Sequence, residues 1–141
     1  MNSRKSILSI GAAMFAGVLL DVSAVPAQAQ SEVLRVNVPF SFYFGDQHLP
    51  PGEYIFTPLP NGLVKIADSE NKPSVTLITF RVSNGKRANT AKVVFNQYGE
   101  DTFLSEMWWT GTHDGYRPMQ SKRERELAKS SSPIRIAVVQ R

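Results

Sequence analysis

Between Leu34 and Phe44 the chain alternates strictly. Leu34, Val36, Val38, Phe40, Phe42 and Phe44 fall on one parity, and Arg35, Asn37, Pro39, Ser41 and Tyr43 on the other. Successive side chains of a strand point to opposite faces, so this period of two describes a strand with one buried face. A helix would scatter the same phenylalanines around its circumference. Pro39 has no N–H for a ladder, which puts it at an edge or a bulge. The run therefore reads as one long strand or as two short ones bent at Pro39.

The rest of the chain repeats this grammar. Pro51-Gly52 suits the central positions of a type II turn. Tyr54 and Phe56 then share one parity. Asn61-Gly62 lies between two apolar runs, a strong hairpin signal. Val64 and Ile66 face one way in the next strand. Ser74–Ser83 is rich in β-branched residues and apolar on both parities, which predicts a central strand covered on both sides, with Ile78 and Phe80 inward. Asn84–Thr90 reads as an exposed loop. Ala91–Tyr98 and Thr102–Thr110 should form a hairpin about Gly99-Glu100-Asp101. Gly111–Met119 has loop composition. Ser121-Lys122-Arg123-Glu124 fits a capping box, with Ser121 at the N-cap and Glu124 reaching back to it, and opens a helix to about Lys129. Ile134–Val139 is a last alternating strand. These elements predict an all-β fold, an antiparallel six- to seven-stranded sandwich or small barrel, with one short C-terminal helix before the last strand. Pairing of the last strand with the first would hide an edge.

The chain opens with an export signal. Arg4 and Lys5 precede an uncharged apolar run from Ile7 to Leu20, and Ala27-Gln28-Ala29 offers an A-x-A cleavage site. That run falls short of the roughly 20 residues a spanning helix needs. Residues 1–29 are thus expected to be removed as a signal peptide, leaving residues 30–141 as a single β-domain in the periplasm or outside the cell. No later run is long and apolar enough for a transmembrane span. The chain has no cysteine, so neither disulfides nor a lipidated cysteine can anchor it. The formal charge of +4 falls to +3 when Arg4, Lys5 and Asp21 leave with the leader. Such a mild, scattered excess lacks the basic face of a nucleic-acid binder, so nucleic acid is excluded as a partner.

Candidate chemistry is sparse. His113 and Asp114, with Glu106 upstream and Tyr116 and Arg117 downstream, could serve acid–base chemistry, the basis of a hydrolase reading. No nucleophile motif accompanies them, and loop formation alone accounts for their composition. His48 and His113 are the only histidines, at no metal-binding spacing, so the sequence assigns no metal, no cofactor and no catalytic residue. Trp108 and Trp109 point to opposite faces of a strand. The outward one either stacks on a glycan or partner protein, or is covered by a second layer or the helix. The row Phe40, Phe42, Phe44 either fills the core or lines a cavity for a small apolar ligand. The run KRERELAK alternates in sign, as a solvated helix face does. Trp108, Trp109, His113, Asp114, Tyr116 and Arg117 are the candidate ligand or partner contacts.

Three segments carry a resemblance: VPFSFYFGDQHLPPGEY (Val38–Tyr54), KVVFNQYGEDTFLSEMW (Lys92–Trp108) and SKRERELAK (Ser121–Lys129). Together they resemble a group of small exported bacterial β-proteins with the patterns V-P-F-x-F-x-x-G, L-P-x-G-x-Y and S-x-x-E-R-E-L-A. The resemblance implies export and a shared β-fold and brings no catalytic residues with it. The expected function is a non-catalytic binding or structural role at the bacterial envelope. The alternatives are a small apolar-ligand carrier and the His113/Asp114 hydrolase. Intact-mass measurement of the exported protein should place its first residue at Gln30. A mass retaining the leader would overturn the cleavage assignment.

Overall fold

A computed structural model describes residues 33–70 and 72–141. The proposed leader and its cleavage site lie outside the described residues. The alternating stretch divides as Pro39 requires, into β1 (Leu34–Val38) and β2 (Phe42–Phe44). Next come β3 (Gln47–Leu49), β4 (Gly52–Leu59), β5 (Leu63–Asp68), β6 (Val75–Ser83), β7 (Lys92–Tyr98), β8 (Asp101–Trp108) and β9 (Asp114–Pro118). Helix α1 (Lys122–Ser130) and β10 (Ile134–Val139) complete the order.

The fold is mostly β with one short helix, but it has ten strands among the described residues, not six or seven. The extra strands come from the split of the first stretch into β1 and β2, from β3, which extends the β2 turn into a hairpin, and from β9, inside the stretch read as a loop. The sheet is mixed, because β2 runs parallel to β8 through the pair Tyr43–Phe103. The turns follow local chemistry. Asn61 and Gly62 both take positive φ between β4 and β5, the geometry in which Asn-Gly is favoured. Gly99 does the same in the tight β7–β8 connection, so that predicted hairpin forms. Gly52 does not turn the chain through positive φ. It pairs with Val38 at the start of β4, so the expected type II turn at Pro51-Gly52 is absent.

Strand β6 joins the two halves of the sheet. Its first residues pair with β5, from Val75 to Ile78, and its later ones with β9, from Thr79 to Ser83. The sheet thereby folds over a single core. One side supplies Leu34, Val36, Val38, Tyr54, Phe56, Val64 and Ile66. The other supplies Phe42, Phe44, Val93, Phe95, Leu104, Met107 and Trp109. The phenylalanine row packs by ring edges: Phe40 and Phe42 lie 5.0 and 5.2 Å from Phe95, and Phe42 lies 5.1 Å from Tyr54. These are favourable edge-to-face separations, and they fill the space between the layers.

The last strand does not close the sheet on the first. Strand β10 pairs antiparallel with β7, and β1 pairs only with β4, so no barrel forms. A gap of about 440 Å³ separates the facing edges, lined by Arg35, Asn37 and Pro39 on one side and Ala137, Val138 and Val139 on the other. Strand β6 is central, but only one of its faces is covered. Ile78 and Phe80, expected inside, are 58 % and 53 % exposed. Ile134, also expected inside, is exposed, whereas Ile136 and Val138 pack against the core.

One irregularity shapes the whole outer face. Val94 pairs with Glu106, but its neighbour Phe95 pairs with Leu104, so Ser105 is an extra residue in β8. A bulge of this kind shifts the parity of the strand across it. Leu104 and Met107 can therefore both face the core, while Glu106 and Trp108 face away. Truncating the ring at the centre of the core, Phe95→Ala, should remove about 3–5 kcal/mol of stability in denaturant unfolding. A loss below about 1 kcal/mol would show that the layers do not depend on it.

Candidate functional site

The outer face of β6–β9–β8–β7–β10 carries the polar chemistry of the molecule. Register places Phe80 beside Arg117, Val94 beside Glu106, and Asn96 beside Arg135. Helix α1 covers one end of this face. Ser121 Oγ accepts from the Glu124 N–H at 3.1 Å, so the predicted N-cap is present. The reciprocal half of the capping box is replaced. Glu124 turns inward, only 4 % exposed, and accepts a hydrogen bond from Asn96 Nδ2 at 3.4 Å. Outside that contact, Arg123 Nη2 donates to both carboxylate oxygens of Asp101, at 3.0 and 3.1 Å, and its guanidinium lies 5.3 Å from the Tyr43 ring centre. Tyr43 in turn stacks on Phe103 at 5.0 Å. The helix is thus fixed by a buried acid and an arginine clamp, with little apolar burial of its own.

Glu106 is the other buried acid. Its Oε1 accepts from Arg117 at 2.8 Å, and its Oε2 accepts from Trp108 Nε1 at 2.9 Å and pairs with Arg135 at 3.2 Å. Burial alone would push its carboxyl up. The bonds from Arg117, Trp108 and Arg135 outweigh it and hold the group below the usual carboxylate value. Among the described residues Glu124 has no cation in direct contact. Burial pushes its carboxyl up, and bonds from Asn96, Gln120 and Tyr98 only partly offset that. One face therefore carries two acids displaced in opposite directions.

Between them lies a groove of about 490 Å³. Its walls include Phe80, Pro118 and Met119 on the apolar side and Arg117, Arg125, Arg135 and Glu124 on the polar side. Met119 is 57 % exposed, so it and Phe80 present large uncovered apolar surface. Asn96 also borders the groove. It is nine-tenths buried, and its Oδ1 has no hydrogen-bond partner among the described residues. A buried acceptor without a donor costs roughly 1–3 kcal/mol.

The structure scatters the residues singled out by sequence. Trp108 and Trp109 are both buried, so neither offers an open stacking surface. The Trp108 indole lies against Gly115, where a Cβ would come within 2.7 Å of the ring. Trp109 packs edge-on against Tyr116 at 5.5 Å, inside the core. His113 is exposed, and its carbonyl accepts from Ser83 Oγ. Asp114 lies 3.9 Å from Arg81. Neither His113 nor Asp114 hydrogen-bonds to Glu106, whose partners are Arg117, Arg135 and Trp108, so the proposed acid–base group is not assembled. Of the six candidates only Arg117 lines the groove. Phe80, Asn96, Met119, Glu124, Arg125 and Arg135 join it from four separate segments. In the sequence, Glu124 is marked by the capping box, and Glu124 and Arg125 by the S-x-x-E-R-E-L-A pattern; the others carry no signal as site residues.

No family model, curated protein or solved structure matches this chain.

The opposed acids give a pH signature. The Glu106 carboxyl is depressed in the fold, so its contribution is present above the unfolded value near 4.3 and is lost as pH falls through the folded value. The Glu124 carboxyl is raised, so stability is greatest below that unfolded value and declines as pH rises through the folded one. In urea titrations, Glu106→Gln should destabilise by about 1–3 kcal/mol at pH 7, with the deficit shrinking in acid. Glu124→Gln should move oppositely, gaining on wild type as pH rises from 4 to 7. Parallel pH profiles for the two variants would contradict the assignment.

Proposed function

We propose that this chain is an exported, non-catalytic binding domain of the bacterial envelope, and that its ligand sits in the groove between α1 and the outer face of the sheet. The observation that carries the reading is the fixed pair Arg117 and Arg135. A single buried carboxylate, Glu106, holds both guanidiniums in place beside the exposed Phe80 and Met119. Side chains fixed in this way lose little freedom on binding, which is the advantage of preorganisation. Uncovered apolar surface beside placed polar groups is the usual make-up of a ligand site. The unpartnered Asn96 Oδ1 at the groove wall adds a place where a hydrogen-bond donor is missing.

Export is supported by Arg4-Lys5, the Ile7–Leu20 run and the Ala27-Gln28-Ala29 site. Among the described residues no helix is long and apolar enough to cross a membrane. The alternative of an apolar ligand held in the interior is disfavoured by the edge-to-face packing of Phe40, Phe42 and Phe95. The hydrolase alternative lacks its assembled group.

Native mass spectrometry of the full chain, expressed with its leader in a bacterial host, tests the reading. The exported wild type should carry a bound small molecule. The double variant Phe80→Glu with Arg125→Glu should carry about tenfold less at an unchanged thermal midpoint. An empty wild type, equal occupancy in the variant, or a hydrolytic activity lost on His113→Ala would overturn it.

A further inference from the structure

The groove does not end at Met119. A second cleft of about 340 Å³ begins on the other side of that residue, lined by Leu77, Ile78, Met119 and Gln120, with Gly45 and Asp46 at its border. Met119 and Gln120 line both spaces. Ile78 and Phe80 stand two residues apart on β6 and so project to the same side, one toward each space. The Met119 N–H donates to the Ile78 carbonyl at 3.4 Å, which holds the methionine beside this row. The β2–β3 turn covers the far end, since a Cβ on Gly45 would come within 2.8 Å of Leu77. An apolar track thus runs from Phe80 across Met119 to Ile78.

The two ends of this track differ in charge. At the groove end stand Arg117, Arg125 and Arg135 against the acids Glu106 and Glu124. Arg117 and Arg135 share one carboxylate, and about half of each side chain remains exposed, so both keep free N–H donors. Arg125 has no ion pair among the described residues. The set therefore holds a surplus of at least one positive charge. At the far end the one charged residue on the border is Asp46.

We propose that the track binds a single-headed amphiphile, an apolar chain ending in one carboxylate, with the carboxylate at Arg117, Arg125 and Arg135 and the chain along Phe80, Met119 and Ile78. This rests on the groove being the binding site. The planar guanidinium matches a carboxylate fork and suits the small charge surplus. Asp46 disfavours a second anionic group at the tail. Neutral chains lack the head contact, and cationic ones meet three arginines.

Calorimetric titration of the full chain tests this with four probes kept below their micelle concentrations. Dodecanoate should bind with one saturable site. Dodecanol and the twelve-carbon α,ω-dicarboxylate should each bind at least about tenfold more weakly, a difference of about 1.4 kcal/mol. Dodecyltrimethylammonium should give no saturable heat. Arg125→Gln and Phe80→Glu, both at exposed positions that make no hydrogen bond to Glu106, should each weaken dodecanoate about tenfold at an unchanged thermal midpoint. Equal affinity for dodecanoate and the ammonium, or dodecanoate binding that neither variant alters, would overturn the assignment. If dodecanoate fails to bind while native spectra still show a ligand lost from the groove double variant, the carboxylate-chain assignment falls and the groove reading stands.

Discussion

The bulge at Ser105 is the constraint on which the outer face depends. Without it, Leu104, Glu106 and Trp108 would share one side of β8, because they share a parity. The strand would then bury a carboxylate in the core or expose a leucine and a tryptophan together. The extra residue separates the two demands. Leu104 and Met107 complete the core, and Glu106 and Trp108 turn outward, where the Trp108 N–H and two guanidiniums meet the carboxylate. A buried acid needs such partners, since an unpaired charge out of water is far more expensive than the strand irregularity that avoids it.

The second buried acid is held on different terms. Among the described residues Glu124 has no cation in direct contact, and its neighbours Asn96, Gln120 and Tyr98 are neutral hydrogen-bonding groups. It ties α1 to the sheet through polar contacts, which explains how a helix with so little apolar surface keeps a fixed position. Arg123 does the same from outside by gripping Asp101 and lying over Tyr43. The groove exists because the helix is held at one end of the sheet and leaves the middle of that face open.

Much of the fold was legible in the sequence, for physical reasons. Strict alternation from Leu34 to Phe44 announced a buried row, and Leu34, Val36, Val38, Phe42 and Phe44 are all buried. Asn61-Gly62, Gly99 and the Ser121 cap act within a few residues, so local chemistry sufficed to place them. Three things escaped. Strand β3 is too short to show a period of its own, and β9 rests on β6, a partner distant in sequence. The bulge breaks the alternation of β8, so Leu104 and Trp108 share a parity and yet face opposite ways. The inward reading of Ile78 and Phe80 assumed that apolar residues on both sides of a central strand imply two covering layers, and here one side stays open. The groove was invisible for the same reason, since its walls come from β6, β7, β8, β9, α1 and β10 and no single stretch holds its pattern.

The unclosed seam between β1 and β10 bears on how this molecule behaves in a crowd. An exposed strand edge is a template on which another chain can add a strand. Here two such edges face each other across a narrow gap, flanked by Arg35, Asn37 and Pro39 on one and by Arg141 beyond the other. Each edge obstructs the approach to its neighbour, and the proline and the cations spoil the register an incoming strand would need. The protein thereby gains much of the protection of a closed barrel without the strand tilt and stagger that closure would impose on the face carrying the groove.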